Sequence, residues 1–279
     1  MNEIIMNGFT GLASGFDKLD AVTNGWQNGD LIVVAGRPAM GKTAFALSLV
    51  RNMAIEKKIP VAMFSLELSK VQLVNRLIAN VSRVSNERIR SGQLEKNEWS
   101  NIETGVSSML GAPLYVDDSP SLSVSDLRVK ARKLVHEYGV KMIIIDYLQL
   151  MNTSEGSSES RQEEVTTISR SLKLLARELD IPVLVLSQLN RSVEQNSSNN
   201  LDCMRPKLSD FRESGAIELD ADLVCFIHRL DYYKIVKDQY GNDTKGVAEI
   251  IIAKHLYGAV GEVRLHFDEE HAAFTNEKN

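Results

Sequence analysis

Apolar runs alternate with helix-spaced apolar positions along most of the chain. Residues 31–36 (Leu-Ile-Val-Val-Ala-Gly) form an unbroken apolar run, the pattern of a strand buried on both faces. Over 42–57, Ala46, Leu49, Val50, Met53 and Ala54 recur at helical spacing. A strand is predicted at 60–66, a helix at 71–81, a polar helical stretch around Trp99 and a short strand at 114–116. The helix at 125–138 opens after Ser123, with Asp126 three residues on, and Gly139 ends it. The β-branched run 140–145 reads as a central strand, 163–179 as a long helix and 182–186 as another strand. Beyond this the pattern changes: 223–227, 247–253 and 262–267 are strands with no long helix between them.

Alternating strand and helix implies an α/β fold, a mostly parallel central sheet flanked by helices. The strand-rich end adds antiparallel strands at one edge. Two polar segments, 152–164 and 192–208, carry little structural signal, and loops of that length are usually functional or disordered. Residues 1–12 read as an N-terminal arm or linker remnant, 13–270 as the ATPase domain argued for below, and 271–279 as a C-terminal tail. No internal repeat is evident.

The 279 residues are 43% hydrophobic and 25% charged, which excludes chain-wide disorder and suits one large α/β domain or two small ones. Cys203 and Cys225 cannot build a disulfide framework or a four-ligand zinc site, and Cys225 lies in an apolar run. A net charge of −5 excludes a globally basic coat for nucleic acid but not a narrow basic channel. The chain opens on no signal peptide and holds no spanning-length apolar stretch, so no membrane partner is expected and the cytoplasm is the expected compartment.

Gly36-Arg37-Pro38-Ala39-Met40-Gly41-Lys42-Thr43 fits G-x-x-x-x-G-K-[ST] between a predicted strand and a predicted helix. Glycines let successive N–H groups curl toward phosphate oxygens, and the helix N-terminus favours anions. Lys42 can reach the β- and γ-phosphates of ATP, and the Thr43 hydroxyl can bind Mg²⁺. The competing reading is a plain glycine-rich turn. Three other strands end in polar residues, where α/β sheets gather ligands: Glu67 after 60–66, Asp146 after 140–145, and Ser187 with Gln188 after 182–186. Asp146 has the pattern of a carboxylate holding Mg²⁺ or its water. Glu67 can polarise the attacking water, or is simply a charge before the helix start at Ser69. Gln188 can sense the γ-phosphate, or makes only a strand-end hydrogen bond.

Several segments resemble DnaB-type replicative helicases, whose C-terminal domain is a RecA-like P-loop ATPase. Residues 14–31, with Gly25-Trp26 and Gly29-Asp30-Leu31, are similar to the start of that core. Residues 36–46, running through Ala44, resemble its phosphate loop (Walker A). Phe64-Ser65-Leu66-Glu67-Leu68 resembles its catalytic-glutamate segment and Ile145-Asp146-Tyr147-Leu148-Gln149-Leu150 its Walker B strand. Residues 187–191 and 209–218 are similar to two further motifs. The resemblance covers roughly 10–268. It implies a homohexameric ring around single-stranded DNA, with ATP and Mg²⁺ at each subunit boundary, and primase and a helicase loader as further partners. It implies Glu67 as catalytic base, with Lys42 and Gln188 also catalytic and Asp146 the Mg²⁺ carboxylate. Arg76 becomes a polar contact near the nucleotide, and Arg212, Glu213 and Gly215 touch the DNA backbone. Arg205 and Lys207 are further candidate grips, and a solvated ion pair is the competing reading of Arg212 and Glu213.

Three departures stand out. The family's helical N-terminal domain is absent from these residues. The family's Lys-x-Arg-Asn-Gly hairpin, whose arginine reaches a neighbour's ATP, reads Lys254-His255-Leu256-Tyr257-Gly258 here. Lys254 matches, so it is expected at the neighbour's nucleotide; Leu256 replaces the arginine, a loss worth on the order of 10³ in rate. Leu219 stands where glutamine is usual. The functional expectation is therefore an ATP-driven DNA helicase motor, with a catalytically weakened or regulatory ATPase of the same family as alternative. A recombinase-like or clock-type ATPase and a non-enzymatic single-strand-binding or loader-docking module fit the motifs less well.

Overall fold

The computed structural model describes residues 9–153, 160–189, 204–211 and 215–277. Its centre is one nine-stranded sheet. The strands are β1 (Leu31–Gly36), β2 (Val61–Ser65), β3 (Leu114–Asp117), β4 (Met142–Asp146), β5 (Val183–Gln188), β6 (Leu223–His228), β7 (Val247–His255), β8 (Gly261–Asp268) and β9 (Ala273–Asn276). Their spatial order is β3-β2-β4-β5-β1-β6-β7-β8-β9. The strands from β3 to β6 in that order pair in parallel, and β7, β8 and β9 add antiparallel. The expected mostly parallel sheet with antiparallel C-terminal strands is what the chain builds.

The helices are α1 (Asp17–Thr23), α2 (Lys42–Val50), α3 (Lys70–Ser82), α4 (Asn86–Ser91), α5 (Lys96–Met109), α6 (Val124–Tyr138), α7 (Arg161–Leu179) and α8 (Gly215–Asp220). Alternate residues of each buried strand face opposite layers. Ile32, Val34, Ile144 and Leu184 pack with Phe45, Leu49 and Met53 on one side. Leu31, Val33, Ile143 and Val183 pack with Leu127, Ile168 and Leu172 on the other. This two-sided burial explains the unbroken apolar runs of β1 and β4. Ser123 caps α6 by accepting from Asp126 N–H, and Gly139 closes it with φ +64°.

Four expectations change. The helix after the phosphate loop turns wider at Arg51–Glu56, a π-helical stretch in which Arg51 and Asn52 are both buried. The polar stretch around Trp99 divides into α4 and α5 at Gly92, whose φ is +70°. Residues 17–23 form a helix that apolar spacing did not announce. Residues 273–276, expected in a tail, form β9, because Phe274 is fully buried edge-on against Phe45 of α2. Among the described residues no helix is long and apolar enough to cross a membrane.

Candidate active site

Gly36 ends β1 in close contact with β6: a Cβ there would lie 3.2 Å from the Ile227 carbonyl oxygen. The following loop contains two left-handed residues, Ala39 at φ +62° and Gly41 at φ +95°. Gly41 is also tightly packed, since a Cβ would meet the Phe274 ring at 3.2 Å. These constraints curl the backbone around the N-terminus of α2, where free N–H groups favour an anion. Pro38 lies within the curl, Met40 is buried beneath it, and Ala44 is buried in the first turn of α2. Arg37 does not face outward: its guanidinium is buried, donates to the Tyr233 hydroxyl and lies 5.7 Å from that ring's centre.

Lys42 folds back over the loop and donates to the carbonyls of Gly36 at 3.0 Å and Arg37 at 3.1 Å. Burial pulls its pKa below the ordinary lysine value, against the opposing pull of the Asp146 and Glu67 charges. The Thr43 hydroxyl donates to the Asp146 carboxylate at 2.8 Å. Asp146 is itself almost fully buried. Burial pushes its pKa up to about 6, with the Thr43 hydrogen bond opposing and the Glu67 charge reinforcing the shift.

The sheet register brings the other candidates here. Ser65 lies opposite Asp146, and Leu66 N–H donates to the Asp146 carbonyl at 2.7 Å, so Glu67 emerges beside that acid. Glu67 is exposed. It is also free of the helix start, since Ser69 and Gln72 cap α3 reciprocally. Arg76 sits on α3, and its charge reaches Asp146. Gln188 lies opposite Gly36 across the β5–β1 ladder, with its side chain exposed. Of the strands ending in candidate residues only β5 adjoins β1; β4 and β2 follow beyond it.

Two oxygen donors, the Thr43 hydroxyl and the Asp146 carboxylate, stand together next to the Lys42 loop. Mg²⁺ fits such a pair, because it takes one or two protein oxygens and completes its shell with substrate phosphates and water. Among the described residues no group of three His, Cys, Asp or Glu side chains is placed to hold a metal alone.

Other candidates lie elsewhere. Lys254 and Leu256 belong to the far end of the sheet: His255 pairs with Leu223, at the start of β6, whereas the phosphate loop follows the end of β1. Lys254 is not brought to its own chain's phosphate loop. Its ammonium donates to the carbonyls of Glu218 and Ala221, both at 2.6 Å, and Leu219 at 3.2 Å, closing the C-terminus of α8. Gly215 begins α8 and is exposed, while Arg212 and Glu213 lie outside the described residues. Arg205, a candidate grip, is instead ion-paired with Glu249 at 3.0 Å and with Glu262.

Three features escaped sequence reasoning. Tyr233 anchors Arg37, Phe274 floors the loop, and Gln149 braces the end of β5. Only Gln149 carried a signal, standing three residues after Asp146.

The family described as DnaB-like helicase C terminal domain matches residues 11–276. The Replicative DNA helicase DnaB of Geobacillus stearothermophilus is 49% identical over 267 residues, covering 96% of this chain and 57% of that one. The Replicative DNA helicase DnaC of Bacillus subtilis is 45% identical with the same coverage. The chain thus spans a little over half the length of these curated relatives. A solved DnaB-like replicative helicase, described with its interactions with primase, has a TM-score of 0.88 at 36% identity, covering 97% of this chain and 62% of that chain. A solved ATPase domain matches equally well, with 98% of this chain and 94% of that chain covered. With its fold, its ordered motifs and these relatives in agreement, the chain belongs to the DnaB-like helicase C-terminal domain family.

Proposed function

We propose that this chain is the ATP-hydrolysing motor of a cytoplasmic replicative DNA helicase, working as a homohexameric ring that moves along single-stranded DNA and unwinds duplex. The observation that carries the reading is the 2.8 Å bond between Thr43 and Asp146, beside Lys42 and below the exposed Glu67. Residues from β2, β4 and the phosphate loop converge there, which a glycine-rich turn alone does not require.

The residues divide the work. The loop from Gly36 to Thr43, including Arg37, Pro38, Ala39, Met40 and Gly41, wraps the triphosphate of ATP with its backbone. Ala44 continues the wrap into α2. Lys42 exchanges its two carbonyl partners for phosphate oxygens, which offer a full countercharge. Thr43 and Asp146 would hold Mg²⁺, which when bound neutralises charge on the phosphates. Glu67 accepts a proton from the attacking water, and Arg76 offsets negative charge beside it. Gln188 reads the γ-phosphate through its amide.

Lys254 and the hairpin after it, at the opposite end of the strands from their own loop, would serve another subunit's nucleotide. Arg212, Glu213 and Gly215 are the proposed DNA contacts. Six copies of so small an element in one channel would let a chain of net charge −5 hold a polyanion without reading its sequence. Primase and a helicase loader are the proposed protein partners.

The test is phosphate release with and without single-stranded DNA, together with sizing in Mg-ATP. DNA-stimulated turnover that Glu67→Ala abolishes supports the motor. Inert parent protein beside an active Leu256→Arg variant favours the weakened-ATPase reading, and inactivity of both defeats the proposal.

A further inference from the structure

The β4–β5 ladder ends before the residues that matter most. Its last register pair is Ile145 with Val185, and the Asp146 carbonyl turns to the other neighbour, accepting from Leu66 N–H. Past that point a side chain serves the face of β5 toward β4. The Gln149 carboxamide accepts from Gln188 N–H at 3.2 Å. It donates to the Gln188 carbonyl at 3.1 Å and to the Ser187 hydroxyl at 2.9 Å.

A carboxamide carries the donor and acceptor of a peptide group, so Gln149 continues the ladder with a side-chain rung. On the opposite side Gln188 lies against Gly36, and Leu189 N–H donates to the Gly36 carbonyl at 3.2 Å. The backbone of Gln188 is clamped between the first residue of the phosphate loop and the segment after Asp146. Gln149 is itself pinned: its carbonyl accepts from the Arg161 guanidinium at 2.6 Å.

We propose that Gln149 is a positioning residue for ATP hydrolysis, fixing the Gln188 amide relative to Asp146 and Gly36. The inference rests on the reading of Gln188 as γ-phosphate sensor. It demands a particular side chain. Leucine offers neither donor nor acceptor. Glutamate keeps the acceptor for Gln188 N–H and loses the donors. Asparagine has both groups but is one methylene short.

The test compares Gln149→Leu, Gln149→Glu and Gln188→Ala, each in the parent chain and with Leu256→Arg. The readouts are kcat with and without single-stranded DNA, the Kd of a fluorescent ATP analogue, and Tm. Misplacing a reacting-centre contact costs up to about a hundredfold, so Gln149→Leu should lower kcat by about ten- to a hundredfold, with Gln149→Glu between it and the parent. The analogue's Kd should stay within about threefold, since ground-state binding is not the term removed. A kcat within about twofold of the parent's, or a fall matched by a lost folded fraction, overturns the proposal. Impaired Gln188→Ala with unimpaired Gln149→Leu sinks the role of Gln149 alone. Parental behaviour of Gln188→Ala, or no turnover in either background, sinks the sensor reading and this inference with it.

Discussion

At the carboxyl ends of β1, β4 and β5, Lys42, Thr43, Asp146 and Gln188 are brought together within a single chain. At the other end, where β7 turns toward β8, the polar group is already committed. Lys254 closes α8, and beyond it Leu256 and Tyr257 are exposed apolar side chains. One end is assembled by contacts within the chain; the other turns apolar side chains outward. Both ends share an electrostatic feature. Burial pushes Asp146 at the first end and Asp30 at the second up to about 6, Asp30 with help from the neighbouring Asp222 charge. The difference lies in the counter-groups. Lys173 is ion-paired with both Asp30 and Asp222, whereas the direct side-chain partner of Asp146 is the Thr43 hydroxyl, with Lys42 turned to the Gly36 and Arg37 carbonyls.

The contrast can be broken most directly at the first end. Glu67→Ala should cut phosphate release by about 10³ or more, measured at saturating Mg-ATP, because a positioned base is lost from the proposed transition state. Turnover within tenfold of the parent would move the chemistry away from β2.

Leu256→Arg sharpens the other side. It should raise turnover by up to about 10³ under conditions where rings form, and leave the ATP affinity of the dilute monomer unchanged, since a finger acts in trans. An equal gain at all protein concentrations would contradict the separation of the two ends.

A smaller effect concerns stability. The carboxyl of Asp146 titrates at about 6 in the folded chain against an ordinary 3.8, so folding favours its protonated form. That contribution is full below pH 4 and is lost as pH rises through 6. Asp146→Asn should therefore stabilise the nucleotide-free protein at pH 7.5 by about 3 kcal/mol, while abolishing turnover. Urea melts at pH 4 and pH 7.5 check both the sign and the size. Asp30 contributes a pH dependence of the same sign, which the variant should retain.

Lys254→Met carries the smallest expected change. Removing the cation from the end of α8 should cost about 1 kcal/mol in a urea melt and leave monomer ATP affinity untouched. A loss of monomer affinity would tie the two ends together within one chain.

Much of this was legible in the residues themselves. The unbroken apolar runs of β1 and β4 announced strands covered on both faces, and the glycine-lysine pattern announced the loop between strand and helix. Ser123 and Gly139 marked the ends of α6. What escaped depends on contacts distant along the chain. β9 is four residues long, and it is held by its ladder with β8 and by the burial of Phe274 against Phe45 and Phe267. The rung made by Gln149 depends on β4 stopping two residues short of the end of β5 in register, which no local pattern encodes. Arg37 reads as a phosphate ligand by position, yet Tyr233, 196 residues away, holds its side chain under the loop. Tertiary competition, not propensity, decided each case.

The placement of β9 has a consequence for how the chain is made. Synthesis delivers the loop at 36–43 early, but the floor beneath Gly41 comes from Phe267 and Phe274. Phe274 N–H also donates to Ser48 of α2, and Arg51 donates to the Phe274 carbonyl. On the ribosome, a nascent chain that has already exposed its glycine-lysine motif still lacks these late-emerging struts. The curl at 36–43 should therefore reach its final shape only after residue 274 has emerged.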